Sequence, residues 1–186
     1  MKKNLLLICL ISALLNNLSA QMTGLSTNTA GFNYWQINYA DEETLPGLIS
    51  CESQVDYAEW RYVLPDGTVG NLIGDEPTKK GKKYKPESWT CHINNGRKIK
   101  VKVVEEHDYT SWTLTDSTTT YNLYCRGNKP SDEWRLETLD ESESMEIYTE
   151  EEGTGFDWIF SENSVNFDGH FKVTATLIAL FYFLKL

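Results

Sequence analysis

The three histidines are the side chains best suited to bind a metal or to exchange protons near neutral pH. His92 follows Cys91 in an alternating segment, His107 lies in an acidic stretch, and His170 precedes the apolar end of the chain. A metal site needs several ligands at short spacings, and neither Cys-x-x-Cys nor His-x-x-x-His occurs. The sequence therefore predicts no metal site and no cofactor.

A cluster of acidic residues between positions 140 and 152 is the second group with ligand chemistry. An EF-hand loop needs oxygen ligands at alternate positions around a central glycine, and this order is missing. Neither Gly-x-Ser-x-Gly nor a phosphate-binding glycine loop occurs, so we predict no catalytic residues and no enzyme. We expect a hydrated acidic surface formed by Asp140, Glu141, Glu143, Glu146, Glu150, Glu151 and Glu152.

The number of cysteines in the mature chain depends on the first twenty residues, which are typical of a secretory signal peptide. Lys2 and Lys3 precede an apolar stretch, and the segment ends in small residues at position 20. Removal of residues 1–20 takes Cys9 away and leaves Cys51, Cys91 and Cys125. In an oxidising compartment three cysteines favour one disulfide and one odd thiol, which is buried or bridged to another chain.

The net charge limits the partners. The whole chain carries −10, and loss of the two signal-peptide lysines makes it −12. An acidic chain is a poor ligand for nucleic acid or for an anionic membrane surface. We predict a location that is secreted or on the extracellular face of the plasma membrane.

Alternating apolar residues predict an all-β chain. The clearest hairpin spans residues 88–104: Trp89, Cys91 and Ile93 alternate with polar residues, a turn follows at residues 94–96, and the alternation resumes with Ile99. After a flexible leader at residues 21–30, further strands are predicted at 32–39, 48–53, 57–64, 68–73, 111–115, 121–125, 133–138, 145–149 and 156–160.

An internal repeat indicates two domains. Cys51 is followed by Trp60 and Cys125 by Trp134, each after nine residues, and the two pairs are 74 residues apart. Charged residues near position 106 interrupt the strand pattern. We therefore place one domain at residues 31–105 and a second, atypical one at 106–165, followed by a spacer and apolar tail at 166–186.

The order Cys51, Trp60, Trp89 and Cys91 resembles the immunoglobulin-like domain superfamily. The resemblance implies one or two small antiparallel β-sandwiches in which a Cys51–Cys91 disulfide joins the two sheets. It further implies that Trp60 packs on that bridge, that Trp89 takes the place of the corner tyrosine, and that Trp134 belongs to the second core. Cys125 would then be the unpaired or intermolecular cysteine. The 40 residues between Cys51 and Cys91 are few for this family, and the second domain has no second cysteine.

A second family resemblance gives an alternative. Trp35-Gln36-Ile37, together with the later Thr115-Asp116 and Cys125, is similar to the lipocalins, although the glycine expected two residues before the tryptophan is absent. That resemblance implies a secreted β-barrel that carries a small hydrophobic ligand.

The apolar stretch at residues 173–184 is too short to span a bilayer. Behind a polar spacer it resembles a GPI-attachment signal, with Ser161, Asn163 and Ser164 as candidate attachment residues. Residues 171–177 also alternate, so a last strand is the competing interpretation.

Together these patterns predict a non-catalytic extracellular binding protein that is tethered to the cell surface. Its protein ligand or receptor is not specified by the sequence. A lysine run at residues 79–85 has the opposite sign to the acidic run, which leaves homophilic contact open beside two ordinary hydrated loops.

Overall fold

Twelve antiparallel strands follow one another around a closed barrel, and β12 pairs with β1 to complete it. The computed structural model describes residues 21–27, 32–52, 57–75, 85–126, 132–151, 155–162 and 167–184. Every other pair of neighbours is consecutive in sequence. The strands are β1 (Met22–Ser26), β2 (Tyr34–Tyr39), β3 (Gly47–Cys51), β4 (Glu59–Val63), β5 (Val69–Gly74), β6 (Ser88–Ile93), β7 (Lys98–Val103), β8 (Ser111–Thr115), β9 (Thr120–Cys125), β10 (Glu133–Thr138), β11 (Ser144–Thr149) and β12 (Asp157–Glu162).

Alternation of side chains explains why these segments form a barrel wall. In β7, Ile99, Val101 and Val103 are buried in the lumen, and the intervening lysines are exposed on the outside. Successive side chains on a strand point to opposite faces, so each such segment gives the wall one apolar and one polar face. Gly96, with φ of +89°, supplies the left-handed turn residue between β6 and β7.

The prediction of a flexible leader at residues 21–30 is wrong for Met22–Ser26. Residues Met22–Ser26 form β1, which pairs with β2 on one side and β12 on the other. Met22 and Leu25 are buried. This short strand supplies the seam that closes the sheet.

The immunoglobulin-like prediction is wrong, because the two candidate domains are parts of one barrel. Strands β2 to β7 come from residues 31–105, strands β8 to β12 come from residues 106–165, and β7 pairs with β8 across the expected junction. No second sheet faces the first, so the sandwich core is absent from the described part of the chain.

The Cys51–Cys91 disulfide implied by that resemblance is not formed. Cys51 lies beside Trp60, Trp60 beside Leu72 and Leu72 beside Cys91 on consecutive strands. Three strand spacings separate the two cysteines by about 14 Å along the wall. A disulfide requires Cα atoms within about 7 Å, and no disulfide occurs among the described cysteines.

The apolar tail forms the helix α1 (Gly169–Leu184), which occupies the barrel lumen. Every residue from His170 to Tyr182 is buried. A barrel of about eight strands is filled by its own side chains, so twelve strands leave room for a helix. A helix that is apolar on all sides needs such a surrounding wall, and the competing prediction of a last strand is therefore wrong.

A sixfold hairpin repeat underlies the barrel. Each even-numbered strand carries a tryptophan at its second position, and all six are buried: Trp35, Trp60, Trp89, Trp112, Trp134 and Trp158. They form a tryptophan layer at one end of the lumen. The 74-residue offset between Cys51 and Cys125 therefore corresponds to three hairpins of this repeat.

The opposite end of the barrel has a repeated turn. In five hairpins an Asp or Asn side-chain oxygen accepts a hydrogen bond from the backbone N–H two residues later, which fixes the turn. The residues are Asp41, Asp66, Asn95, Asp116 and Asp140. At the same end of the barrel Asp168 uses the same chemistry to cap α1 by accepting from His170 N and Phe171 N.

Candidate functional site

A hydrogen-bonded group of Tyr62, Cys91 and His170, here called the lumen cluster, lies where α1 begins. The Tyr62 hydroxyl is 2.9 Å from His170 Nδ1 and 3.3 Å from Cys91 Sγ. Gly70 makes room for the tyrosine ring, since a Cβ at this position would lie 2.1 Å from Tyr62 Cζ. The cluster joins β4, β6 and α1.

The lumen cluster is electrically neutral at neutral pH. Burial, with a further contribution from Cys91, raises the pKa of Tyr62. Burial also raises the pKa of the Cys91 thiol, against the opposing hydrogen bonds from Tyr62 and Thr174. Burial lowers the pKa of His170. A thiol that keeps its proton is a poor nucleophile, so this arrangement is suited to holding α1 in register.

Arg97 ties the capped end of α1 to the barrel wall. Its Nε donates to Asp116 Oδ2 at 2.6 Å and its Nη1 donates to Asp168 Oδ2 at 2.9 Å. Partial burial disfavours the charged form of Asp116, but hydrogen bonds from Thr118 and Thr119 outweigh it and lower the pKa of Asp116 to about 2. The guanidinium group also lies over the Phe171 ring, 5.2 Å from its centre.

A buried ion pair holds the first turns of the helix. Lys172 on α1 contacts Glu162 on β12, and both side chains are almost fully excluded from solvent. An unpaired charge in such a place costs several kcal/mol, so the pair requires α1 to sit in one register relative to β12.

The tryptophan layer packs against the other end of α1. Trp89 meets Phe181, Trp112 meets Tyr182 and Trp158 meets Phe183, with ring centres 4.8 to 5.9 Å apart. Tyr182 also donates its hydroxyl to the Pro86 carbonyl.

Three tryptophans of the layer share a local hydrogen bond. Their indole N–H groups donate to the carbonyl three residues earlier at 2.7 to 3.0 Å, namely Trp35 to Phe32, Trp60 to Tyr57 and Trp112 to Tyr109. The aromatic ring of each accepting residue packs on its indole. These three rings are almost fully excluded from solvent.

The outer wall carries the accessible chemistry. Lys98, Lys100 and Lys102, here called the lysine face, project outward from β7 in one line. A cleft of about 210 Å³ lies further round the wall, and its outward-facing lining residues are Arg126, Glu133, Glu146, Tyr148 and Ser161.

Charges in the cleft are largely paired with each other. Arg126 lies 3.7 Å from Glu146, and Arg135 lies 3.6 Å from Glu146 and 3.1 Å from Glu137. Glu137 is buried, whereas Arg126 is more than half exposed, so the pairs range from buried to solvent-exposed.

One group among the described residues has the composition of a metal site. Glu87, Glu106 and His107 bring their ligand atoms within 4.8 Å of one another at the end of the barrel. Their side chains are largely solvent-exposed, and the His107 ring already contacts Glu87. Exposed acidic groups commonly occur without an ion, so this cluster does not define a site.

The residues singled out from the sequence are spread around the wall. Trp60, Trp89 and Trp134 are buried in the tryptophan layer, and Cys125 is buried at the end of β9. Ser161 is exposed on β12, whereas Asn163 and Ser164 lie outside the described residues. The lysine run at 79–85 also lies outside them, apart from Lys85.

Sequence reasoning missed the residues that meet inside the lumen. Tyr62 and Cys91 were recognisable as inward-facing strand residues, but nothing in local spacing connects them to His170, more than 75 residues later. Lys172 within an apolar segment was the one available signal, because a lysine there requires a buried partner.

Among the described residues no helix has the length and apolar character needed to cross a membrane. Comparison of the chain with protein-family models, with curated proteins and with solved structures finds no match.

Proposed function

We propose that the protein is a non-catalytic extracellular binding protein that uses the outer wall of its barrel. The observation that carries this proposal is the position of α1. Small-ligand barrels hold their ligand in the lumen, and here the lumen contains a helix whose residues from His170 to Tyr182 are all buried. The surfaces left for a partner are the outer wall and the barrel ends.

The contacts of α1 support a permanent rather than a transient occupant. It is fixed at its start by the lumen cluster and by Arg97, in its first turns by the Lys172–Glu162 pair, and at its end by aromatic contacts. Removing it would break these interactions together and expose a large apolar lining to water.

Secretion fits this proposal better than a lipid tether does. GPI attachment at Ser161, Asn163 or Ser164 would remove the chain beyond the attachment residue, and with it α1. The lumen would then lack the helix whose side chains fill it. We therefore propose a protein secreted through residues 1–20.

The second candidate is the lipocalin-like carrier. A closed antiparallel barrel with an apolar lumen lining favours it, because such a lining would suit a small hydrophobic ligand if α1 moved aside. Carriage then requires displacement of the helix.

Titration with a fluorescent fatty acid separates the two candidates. A ligand in the lumen would lie close to the six buried tryptophans, so excitation of tryptophan would sensitise the emission of cis-parinaric acid. The wall-binding proposal expects no saturable transfer to the full-length secreted chain, with an established lipocalin as the positive control. Saturable transfer at one ligand per chain would overturn the proposal and favour the carrier.

A further inference from the structure

We infer that the lysine face, with the hydroxyl-bearing strands beside it, binds a linear sulfated polysaccharide. This inference rests on the proposed function, because it names the class of partner for the outer wall. It starts from Lys98, Lys100 and Lys102, which all project outward from β7 and are exposed. At about 3.3 Å per residue, their Cα atoms span roughly 13 Å along the strand.

The strands beside the lysine face contain no acidic residue. Strands β5, β6, β7, β8 and β9 contain no Asp or Glu, although the whole chain has 27 acidic residues. Across the ladder, Lys98 lies beside His92, and Lys100 lies between Thr90 and Thr115. Within the described residues none of the three lysines forms an ion pair.

The acidic residues that flank these strands lie in the connecting segments, with Glu105 and Glu106 shortly after β7, and three others are engaged. Asp75 accepts a hydrogen bond from the Ser88 hydroxyl, Glu87 contacts His107, and Asp116 pairs with Arg97. The positive potential along β7 is therefore not neutralised by neighbouring strands, in a chain whose net charge is −10.

These lysines are not needed to prevent edge-to-edge association of sheets. Lysines on an edge strand prevent association between sheets, but β7 is hydrogen-bonded on both sides within a closed barrel. A row of like charges on one strand face also carries a small repulsive cost. The arrangement is thus better explained by an anionic partner that lies along the strand.

The neighbouring side chains favour a polysaccharide among polyanions. The outward residues of β6 and β8 are Ser88, Thr90, His92, Ser111, Thr113 and Thr115. They offer hydroxyl and imidazole groups to hydrogen-bond sugar hydroxyls and sulfates. None of these six residues is Phe, Tyr, Trp or aliphatic, and Ile73 on β5 and Tyr124 on β9 lie one strand further out. The two strands that flank the lysines therefore offer neither the stacking rings typical of single-stranded nucleic acid sites nor the apolar anchors typical of membrane-surface segments.

Heparin binding by the full-length secreted chain tests the inference. The wild type should bind immobilised heparin with an affinity that falls as salt rises, because binding releases counterions from the polyanion. The triple variant Lys98→Gln, Lys100→Gln, Lys102→Gln should bind at least about tenfold more weakly, and its log–log salt dependence should be flatter by roughly one unit per lysine. The triple Lys→Arg variant keeps the charge and should bind like the wild type.

Matched single changes separate the site from net charge. Lys100→Gln and Arg126→Gln each remove one exposed positive charge, and only Lys100→Gln should weaken heparin binding. Equal weakening by both would overturn the inference. Circular dichroism and the thermal midpoint would verify that each variant is folded.

Other polyanions test whether the partner is a polysaccharide, and cis-parinaric acid tests whether the ligand binds in the lumen instead of on the wall. Oligo(dT) and phosphatidylserine vesicles at the same salt should bind clearly more weakly than heparin. Equal binding of all three, or no heparin binding, would overturn the polysaccharide assignment while leaving the wall proposal in place. Saturable transfer to cis-parinaric acid would instead overturn the wall proposal itself.

Discussion

Two hydrogen-bonded groups of polar side chains lie around the first turn of α1. Tyr62 lies between Cys91 and His170, and Arg97 lies between Asp116 and Asp168. Leaving such groups without partners in a buried site costs about 1–3 kcal/mol each. These contacts therefore specify one position for α1 in a lumen whose lining is mostly apolar.

Replacement of His170 by Gln should remove a pH dependence of stability. Burial lowers the pKa of His170, Asp168 opposes this shift and Arg97 adds to it, with a smaller opposing effect of Asp66. The unfolded chain binds a proton near the ordinary pKa of 6.5, so the folded state loses stability as the pH falls through this value towards the lower folded pKa. The wild type should lose thermal stability from pH 7.5 to 5.5, and His170→Gln should lose less.

The exposed His92 provides the matched control for this experiment. His92→Gln removes the same residue type from the outer wall and serves as the control for the loss of an imidazole as such. An identical pH profile for wild type and His170→Gln in differential scanning calorimetry would contradict the assignment of a neutral, buried imidazole.

At the scale of elements, local alternation predicted most strands well and their assembly poorly. The strands at 111–115 and 133–138 were predicted at their observed bounds, and the turn at Asn94–Gly96 was also found. Alternation records which side chains face inward but not whether the inward face meets a second sheet or a lumen. Here the inward face surrounds α1. The sequence does not reveal this helix, because its apolar residues show no helical period when every side is buried.

The same reasoning explains why the candidate site could be predicted only in part. The alternating lysines of β7 were visible in the sequence, and so were the tryptophans. Which residues lie beside them depends on how the strands pair. Only the pairing of β5 to β9 shows that these strands place no acidic residue beside the lysine face. Only barrel closure brings the six tryptophans into one layer.

Substitution of Lys172 tests the coupling of α1 to the wall. Lys172→Met leaves the Glu162 carboxylate buried without its partner and should lower the free energy of unfolding by about 3–5 kcal/mol. The double variant Lys172→Met, Glu162→Leu removes both charges and should recover most of this loss, because apolar replacement of a buried pair is often close to neutral. Urea denaturation measures both values.

Lys100→Met is the control for the loss of a lysine as such. This side chain is exposed and unpaired, so its replacement should change stability by no more than about 0.5 kcal/mol. If Lys172→Met were equally mild, the Lys172–Glu162 contact would not stabilise the folded chain.

At the scale of the whole molecule, closure makes the two halves dependent on each other. A fragment of residues 21–105 contains β1 to β7 but neither β12 nor α1. Its first and last strands would be open edges, and its apolar inner face would lack a partner. We expect this fragment to be unfolded or aggregated, whereas the chain from residue 21 to 186 should unfold in one cooperative transition.

Circular dichroism and calorimetry on the fragment and on the chain of residues 21–186 measure this difference. A fragment that melted cooperatively, or a full chain with two separate transitions, would support two independent domains instead. Coexpression of residues 21–105 with residues 106–186 is the useful companion experiment, since the two pieces together contain all twelve strands and should reassemble.

The β1–β12 pairing also sets the order in which the chain can fold. As the chain leaves the ribosome, each strand from β2 to β11 can pair with the strand made before it, but the outer edge of β1 must wait for the last strand. Because α1 follows β12, it has to dock on an open, curved sheet before the seam closes around it, or enter through one end afterwards. Formation of the seam, the contact with the longest loop to close, is thus the expected slow step, and β1 is the strand most exposed to mispairing until then.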